Sequence, residues 1–459
     1  MQSWHTATLE SEFTAADAST ETTLADYLAR EDRLFAELRE EVYQTIVTTG
    51  ATAYSRYRAD GPQDPAQVNQ NWNRSFELIP KNPRGGALLL HGLTDSPYSV
   101  RRIGQILFDQ GYYVLGLRLP GHGTAPAALT RVYWEDWVAA SRLGAQHVKA
   151  TIGQDKPFIV GGYSNGGGLS VKYALDALTD QALPTPDQLL LFSPEIGITP
   201  AAVIANVHKL LSFIPYFEQF KWLSVQPEFD PFKYNSFPKN AAREAWQVTR
   251  AINQEIQARY EDGNLVNFPP VLTFLSWSDS TVSTEATIRR LYDRLSNDGN
   301  ELVVFDINRI DELAAFIPAT QEQALDDWAA RDDLPFRLTV IGNINLNSDA
   351  LARRTKAPRS TDVDVRPLNM EWPPDIYSLA HVAIPFAPDD PVYGIEVAAN
   401  GSYQGLPLGA LQPRGETRML SAPIGQLMRL RHNPFFDYIE QRLVKKTEKL
   451  EKRKSTISP

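Results

Sequence analysis

One stretch constrains this chain more than any other. Phe158-Ile159-Val160 is a short apolar run, and it passes into Gly161-Gly162-Tyr163-Ser164-Asn165-Gly166. A strand that ends on G-x-S-x-G and is followed by a helix-compatible segment is a nucleophile elbow. The turn holds its serine at a sharp apex, and the small residues two before and two after let strand and helix approach closely. The hydroxyl is lifted out of the sheet, and the next helix aims its first N–H groups at it. A phosphate-binding turn would need a P-loop lysine or a G-x-G-x-x-G followed by an acid, and the segment has neither.

Runs of the same kind recur. Phe76 to Pro80 reads as a strand, and Ala87 to Leu90, Tyr112 to Leu117, Leu189 to Phe192, Val271 to Leu275 and Leu302 to Phe305 are short, mainly apolar runs, most of which stop at Gly, Pro, Ser or Asp. Such runs are buried parallel strands. Helical stretches lie between them, over 99–110, 134–152, 167–178 and 283–295. The alternation predicts an α/β class with a mostly parallel central sheet and helices on both faces. Residues 1–75 read as a helical N-terminal extension, with helical spacing from Leu24 to Val47. The core is expected over 76–194 and 269–309. Two intervals break the rhythm: 195–268, rich in aromatics, and 310–377, with a strand at Phe336 to Ile341 and then a polar stretch. The remainder, 378–459, ends in a helix and a basic tail, Lys445 to Lys454, expected to fray into solvent.

A serine hydroxyl needs a base, and the base an orienting carboxylate. Of seven histidines, His381 follows all the core strands, which suits the chain order Ser, acid, His. His122, His147, His208 and His432 are read as packing or surface residues, and His91 as a brace for its own loop. Asp279 is the best-placed acid, directly after an apolar strand, with Glu195 and Asp306 as runners-up. An oxyanion also needs donors from two loops. The backbone N–H groups of Asn165, after the serine, and Leu93, after His91-Gly92, are the candidates.

These pieces resemble the α/β-hydrolase fold family, within it the monoacylglycerol lipase and carboxylesterase branch. The resemblance rests on His91-Gly92 with Leu93; Leu119-Pro120-Gly121-His122-Gly123; Asp136-Trp137; Gly162-Tyr163-Ser164-Asn165-Gly166; Asp279 with Thr281-Val282; and His381. It covers about residues 80–310 and the surroundings of His381. It implies ester hydrolysis through an acyl-serine without metal or organic cofactor. Ser164 would be nucleophile, Asp279 acid, His381 base, and the Leu93 and Asn165 amides the oxyanion hole. The family's cap would fall at 195–268. From Asp279 to His381 is 102 positions, longer than the family's usual gap, so 310–377 is expected to be an insertion that loops out before the histidine.

Composition narrows the partners. The chain of 459 residues has no cysteine, which excludes disulfides, thiolate metal sites and a cysteine nucleophile. With 45 Lys and Arg against 55 Asp and Glu, its formal charge of −10 argues against nucleic acid. No stretch approaches the ~18 apolar residues of a membrane span. The first residues carry no signal-peptide pattern, which makes the cytoplasm the default compartment. The expected partner is a small ester with an apolar group. Peripheral lipid contact through the cap aromatics and basic tail is a further reading, and the sequence does not fix the oligomeric state.

Overall fold

The computed structural model describes residues 1–68, 70–197, 218–396, 403, 405–414, 420 and 422–457. In chain order its main elements are α1 (Leu24–Glu41), β1 (Phe76–Leu78), β2 (Gly85–Leu90), α2 (Arg101–Asp109), β3 (Tyr112–Leu117), α3 (Trp134–Ile152), β4 (Phe158–Tyr163), α4 (Asn165–Asp176) and β5 (Gln188–Phe192). There follow β6 (Trp222–Ser224), β7 (Phe237–Pro238), α5 (Lys239–Glu261), β8 (Val271–Ser276), α6 (Thr284–Arg290) and β9 (Glu301–Phe305). The last are α7 (Ala319–Ala330), β10 (Arg337–Asn343), β11 (Ala350–Lys356), β12 (Val363–Glu371) and α8 (Phe436–Ile457).

Ten strands form one sheet in the order β1-β3-β2-β4-β5-β8-β9-β10-β11-β12. The pairs from β3 to β10 are parallel, and β1, β11 and β12 run antiparallel to their neighbours. Strands β2, β3, β4, β5 and β8 are buried throughout, which is why they read as unbroken apolar runs. Alternation divides their side chains between two cores. Leu88, Leu90, Val160 and Leu191 face α3, α4 and α5, through Trp137, Val171 and Ile252. Leu89, Ile159, Leu190 and Phe274 face α2 and α8, through Ile103, Leu107, Ile439 and Leu443.

Three expectations need correction. The interval 310–377 does not simply loop out. After α7 it lays β10 beside β9, then folds back as β11 and β12, widening the sheet by three strands. The two antiparallel strands read as a polar stretch because β11 is only half-buried over Arg353 to Thr355 and β12, at the edge, is exposed along most of its length. The C-terminal basic segment does not fray. Helix α8 continues through it, burying Leu443, Thr447 and Leu450, while Lys445, Lys449, Lys452 and Arg453 are exposed and Lys446 donates to the Gly299 carbonyl at 3.4 Å. Finally, α1 stops at Glu41, short of Val47.

The N-terminal extension is tied down by charge. Arg118, at the end of β3, is 1% exposed and donates to Glu31 at 3.0 Å and to Glu12 at 2.9 Å. Glu12 also accepts the Gly121 N–H at 2.8 Å. A buried arginine of this kind is tolerated because its partners are fixed around it. Among the described residues no helix is long and apolar enough to cross a membrane.

Since Ile439 on α8 is fully buried against the sheet, Ile439→Ala is expected to cost about 2–5 kcal/mol. Urea denaturation measures it. A cost under about 0.5 kcal/mol would show that α8 is not part of the core.

Candidate active site

The site is built at the carboxyl ends of β2, β4 and β8. Ser164 lies between β4 and α4 with φ 55° and ψ −118°, a left-handed backbone that a non-glycine residue holds at a cost of about 1–3 kcal/mol. The flanking glycines make the bend possible. A Cβ on Gly162 would lie 2.3 Å from the Gly166 carbonyl, and one on Gly166 would lie 2.2 Å from the Leu90 carbonyl oxygen. Backbone meets backbone at both points, so no side chain fits. The helix starts at Asn165, two residues earlier than the sequence suggests, because three consecutive glycines (Gly166 to Gly168) hide its first turn.

His381 is 4% exposed and stands in a short turn after the second insertion. Its Nε2 is 3.0 Å from Ser164 Oγ, and its Nδ1 is 2.7 Å from Asp279 Oδ2. An ionised carboxylate only accepts, so the proton of this pair sits on Nδ1 and leaves Nε2 free to accept from the serine. Asp279 Oδ1 takes the N–H groups of Thr281 at 2.8 Å and Val282 at 3.0 Å. Burial would raise this carboxyl, but His381 and those two N–H groups outweigh it and hold it below the usual carboxylate range. The Tyr163 hydroxyl donates to the His381 carbonyl at 3.4 Å, a support that sequence did not single out.

Asn165 opens α4, where the first N–H groups have no intrahelical acceptor. Leu93 follows His91-Gly92 on the loop after β2. His91 is fully buried, with Nδ1 2.9 Å from the Gly92 carbonyl and Nε2 accepting the Leu119 N–H at 2.9 Å. Burial, and then neighbouring His122, keep its pKa well below the ordinary value, so it braces two loops as a neutral ring. His122 is held down to about 4 by burial. Trp137 Nε1 donates to the Pro120 carbonyl at 3.0 Å and fixes that loop from beneath. His208, with Phe213, Tyr216 and Phe217, lies outside the described residues. Of the remaining aromatics in 195–268, Trp222, Phe229, Phe232, Tyr234 and Phe268 are buried, and Phe232 stacks on Tyr98 at 3.9 Å.

The runner-up acids are engaged elsewhere. Asp306 accepts from Arg309 at 2.6 Å. Glu195 is buried and takes a 3.1 Å hydrogen bond from Thr249 on α5.

Comparisons with known proteins find hydrolase relatives. The family model described as serine aminopeptidase, S33, matches residues 81–308. A thermostable monoacylglycerol lipase of Bacillus sp. (strain H-257) is 36% identical over 89 residues, 19% of this chain and 34% of that protein. The match thus spans about a third of that relative. Among solved structures, one from a study of the metagenome-derived lipolytic enzymes LipS and LipT has 18% identity, covering 56% of this chain and 97% of its own at a TM-score of 0.41. The monoacylglycerol lipase of Paleococcus ferrophilus has 16% identity, covering 55% and 96% at a TM-score of 0.38.

The buried Glu195 has a measurable consequence. Burial, opposed only by the Thr249 hydroxyl, pushes its carboxyl from 4.5 up to about 8. Between those values the folded chain keeps a proton that the unfolded chain releases, so this group costs stability as pH rises from about 4.5 to about 8. Glu195→Gln is expected to remove on the order of 2–5 kcal/mol of that decline. Denaturant unfolding of both proteins at pH 5 and pH 8 measures it; parallel pH dependence in the two would refute it.

Proposed function

We propose that this chain, which has the α/β-hydrolase fold and resembles its monoacylglycerol lipase and carboxylesterase branch, hydrolyses carboxylic esters through an acyl-serine at Ser164. The observation that carries the reading is the hydrogen-bonded line from Asp279 through His381 to a serine held at φ 55°. In the proposed cycle His381 Nε2 takes the Ser164 proton as Oγ attacks the ester carbonyl. The backbone N–H groups of Leu93 and Asn165 receive the oxyanion, each worth about 3 kcal/mol of barrier. The dipole of α4 favours the same negative charge. The imidazolium, stabilised by Asp279, returns its proton to the leaving alcohol. Water then repeats the sequence on the acyl-enzyme and frees the acid.

Within ester hydrolysis, monoacylglycerols or lysophospholipids are the second reading, favoured by the segment shared with the Bacillus lipase. An amidase, thioesterase or acyltransferase would use the same three side chains, and an inactive fold serving as a binding protein is the remaining alternative. The described aromatics of 195–268 do not choose between acyl lengths, since Phe229 and Phe232 pack in one cluster with Tyr98, Tyr234 and Phe268 join the main core, and Trp222 lies against His5. Peripheral contact with a lipid surface belongs to the monoacylglycerol reading.

Two measurements test these proposals. Ser164→Ala is expected to lower kcat on p-nitrophenyl butyrate by about 10⁴–10⁶-fold and Asp279→Asn by about 10⁴-fold; a serine variant that keeps most of its activity would sink the reading. Rates over p-nitrophenyl esters from acetate to palmitate, with a monoacylglycerol alongside, then divide the two branches. A short-acyl maximum selects an esterase, and a long-acyl maximum with monoacylglycerol turnover selects a lipase.

A further inference from the structure

The loop that carries Leu93 is held from outside the core, by residues 230–236 between β6 and β7. Thr94 has a left-handed backbone, φ 64°, and its carbonyl accepts the Tyr234 N–H at 2.9 Å. The Tyr234 hydroxyl reaches the neighbouring loop, accepting the Thr124 N–H at 2.7 Å and donating to the Gly121 carbonyl at 3.2 Å. Beside it, Lys233 Nζ donates to Asp95 Oδ1 at 3.1 Å. The Lys233 N–H is anchored on Asp230 Oδ1 at 3.1 Å, and Asp230 is itself fully buried under Tyr393 and Arg431.

Asp95 is an unexpected group to find here. It is 5% exposed, and its Oδ2 would stand 2.7 Å from a Cβ on Gly92. The carboxylate therefore lies against the residue whose peptide leads into the Leu93 N–H. Negative charge at that point opposes the negative charge that ester hydrolysis develops on the carbonyl oxygen, and in a water-poor site such repulsion is weakly screened. The cation hydrogen-bonded to it is Lys233.

We propose that Lys233 is a positioning residue for the oxyanion hole: its ammonium neutralises Asp95 and fastens the Gly92–Asp95 loop to the segment 230–236. The inference rests on the ester-hydrolase reading and names a part of the chain, distant in sequence, on which transition-state stabilisation depends. The contact spans 138 positions, and it links the interval after β5 to the donor loop after β2.

The test is charge removal and its compensation. Lys233→Met is expected to lower kcat on p-nitrophenyl butyrate about 10- to 100-fold with KM within about twofold, because the lost term acts on the transition state. Adding Asp95→Asn to that variant removes the uncompensated carboxylate, and kcat is expected to return to within about fivefold of the parent. Lys233→Arg keeps the cation and should stay close to the parent. Lys233→Gln, which keeps a hydrogen bond without charge, carries the same expectation as Lys233→Met where the latter does not fold. Wild-type kcat in the Met or Gln variant, or a double variant as slow as the single one, overturns the proposal. Turnover by the parent that vanishes in Ser164→Ala establishes ester hydrolysis independently, so unaffected Lys233 variants on an active enzyme defeat this inference alone.

Discussion

Everything at the site depends on two backbone contacts with no room for a side chain. The carbonyl of Gly166 lies where a Cβ of Gly162 would be, and the carbonyl of Leu90 lies where a Cβ of Gly166 would be. These contacts press α4 onto β4 and β2, force Ser164 into φ 55°, and leave its Oγ directed at an imidazole 3.0 Å away. The strain is stable because both partners are anchored in the doubly covered centre of the sheet, where the core side chains are close-packed.

The long interval between Asp279 and His381 has a topological explanation. Strand β9 runs toward the site, and a crossover returns the chain so that β10 runs the same way. Strand β11 runs back and β12 runs forward again. The extra excursion therefore ends at the carboxyl end of the sheet, on the same side as Ser164. From Trp372, buried against Phe435, the chain crosses back over β9, where the Asn308 N–H donates to the Tyr377 carbonyl at 2.7 Å, and reaches His381. An edge hairpin of two strands preserves direction, so the histidine returns to its place despite the added length.

This architecture explains what was legible in the sequence. Strands buried on both faces carry mostly apolar side chains, so β2, β3, β4, β5, β8 and β9 announced themselves as apolar runs. Ser164 and His381 were legible because a G-x-S-x-G after such a run, and a histidine after all of them, are tied to strand order. Strand β11 and the edge strand β12 were hidden because their solvent-side positions hold Arg353, Asp364 and Arg366, and pairing alone makes them strands. Helix α5 buries Ala241, Ala245, Val248, Ile252 and Ile256 along one stripe, a periodicity present in the sequence but masked by the aromatic residues before it. The links from Lys233 to Asp95 and from Tyr234 to Thr94 leave no local trace, since each joins segments more than a hundred positions apart.

The most direct test of the account is where a mechanism-based electrophile becomes attached. Incubation of the folded protein with a fluorophosphonate, followed by intact mass measurement and peptide mapping, is expected to give one adduct per chain, on Ser164 Oγ. Protein that turns over esters while the adduct maps to another side chain, or that remains unlabelled, would contradict it.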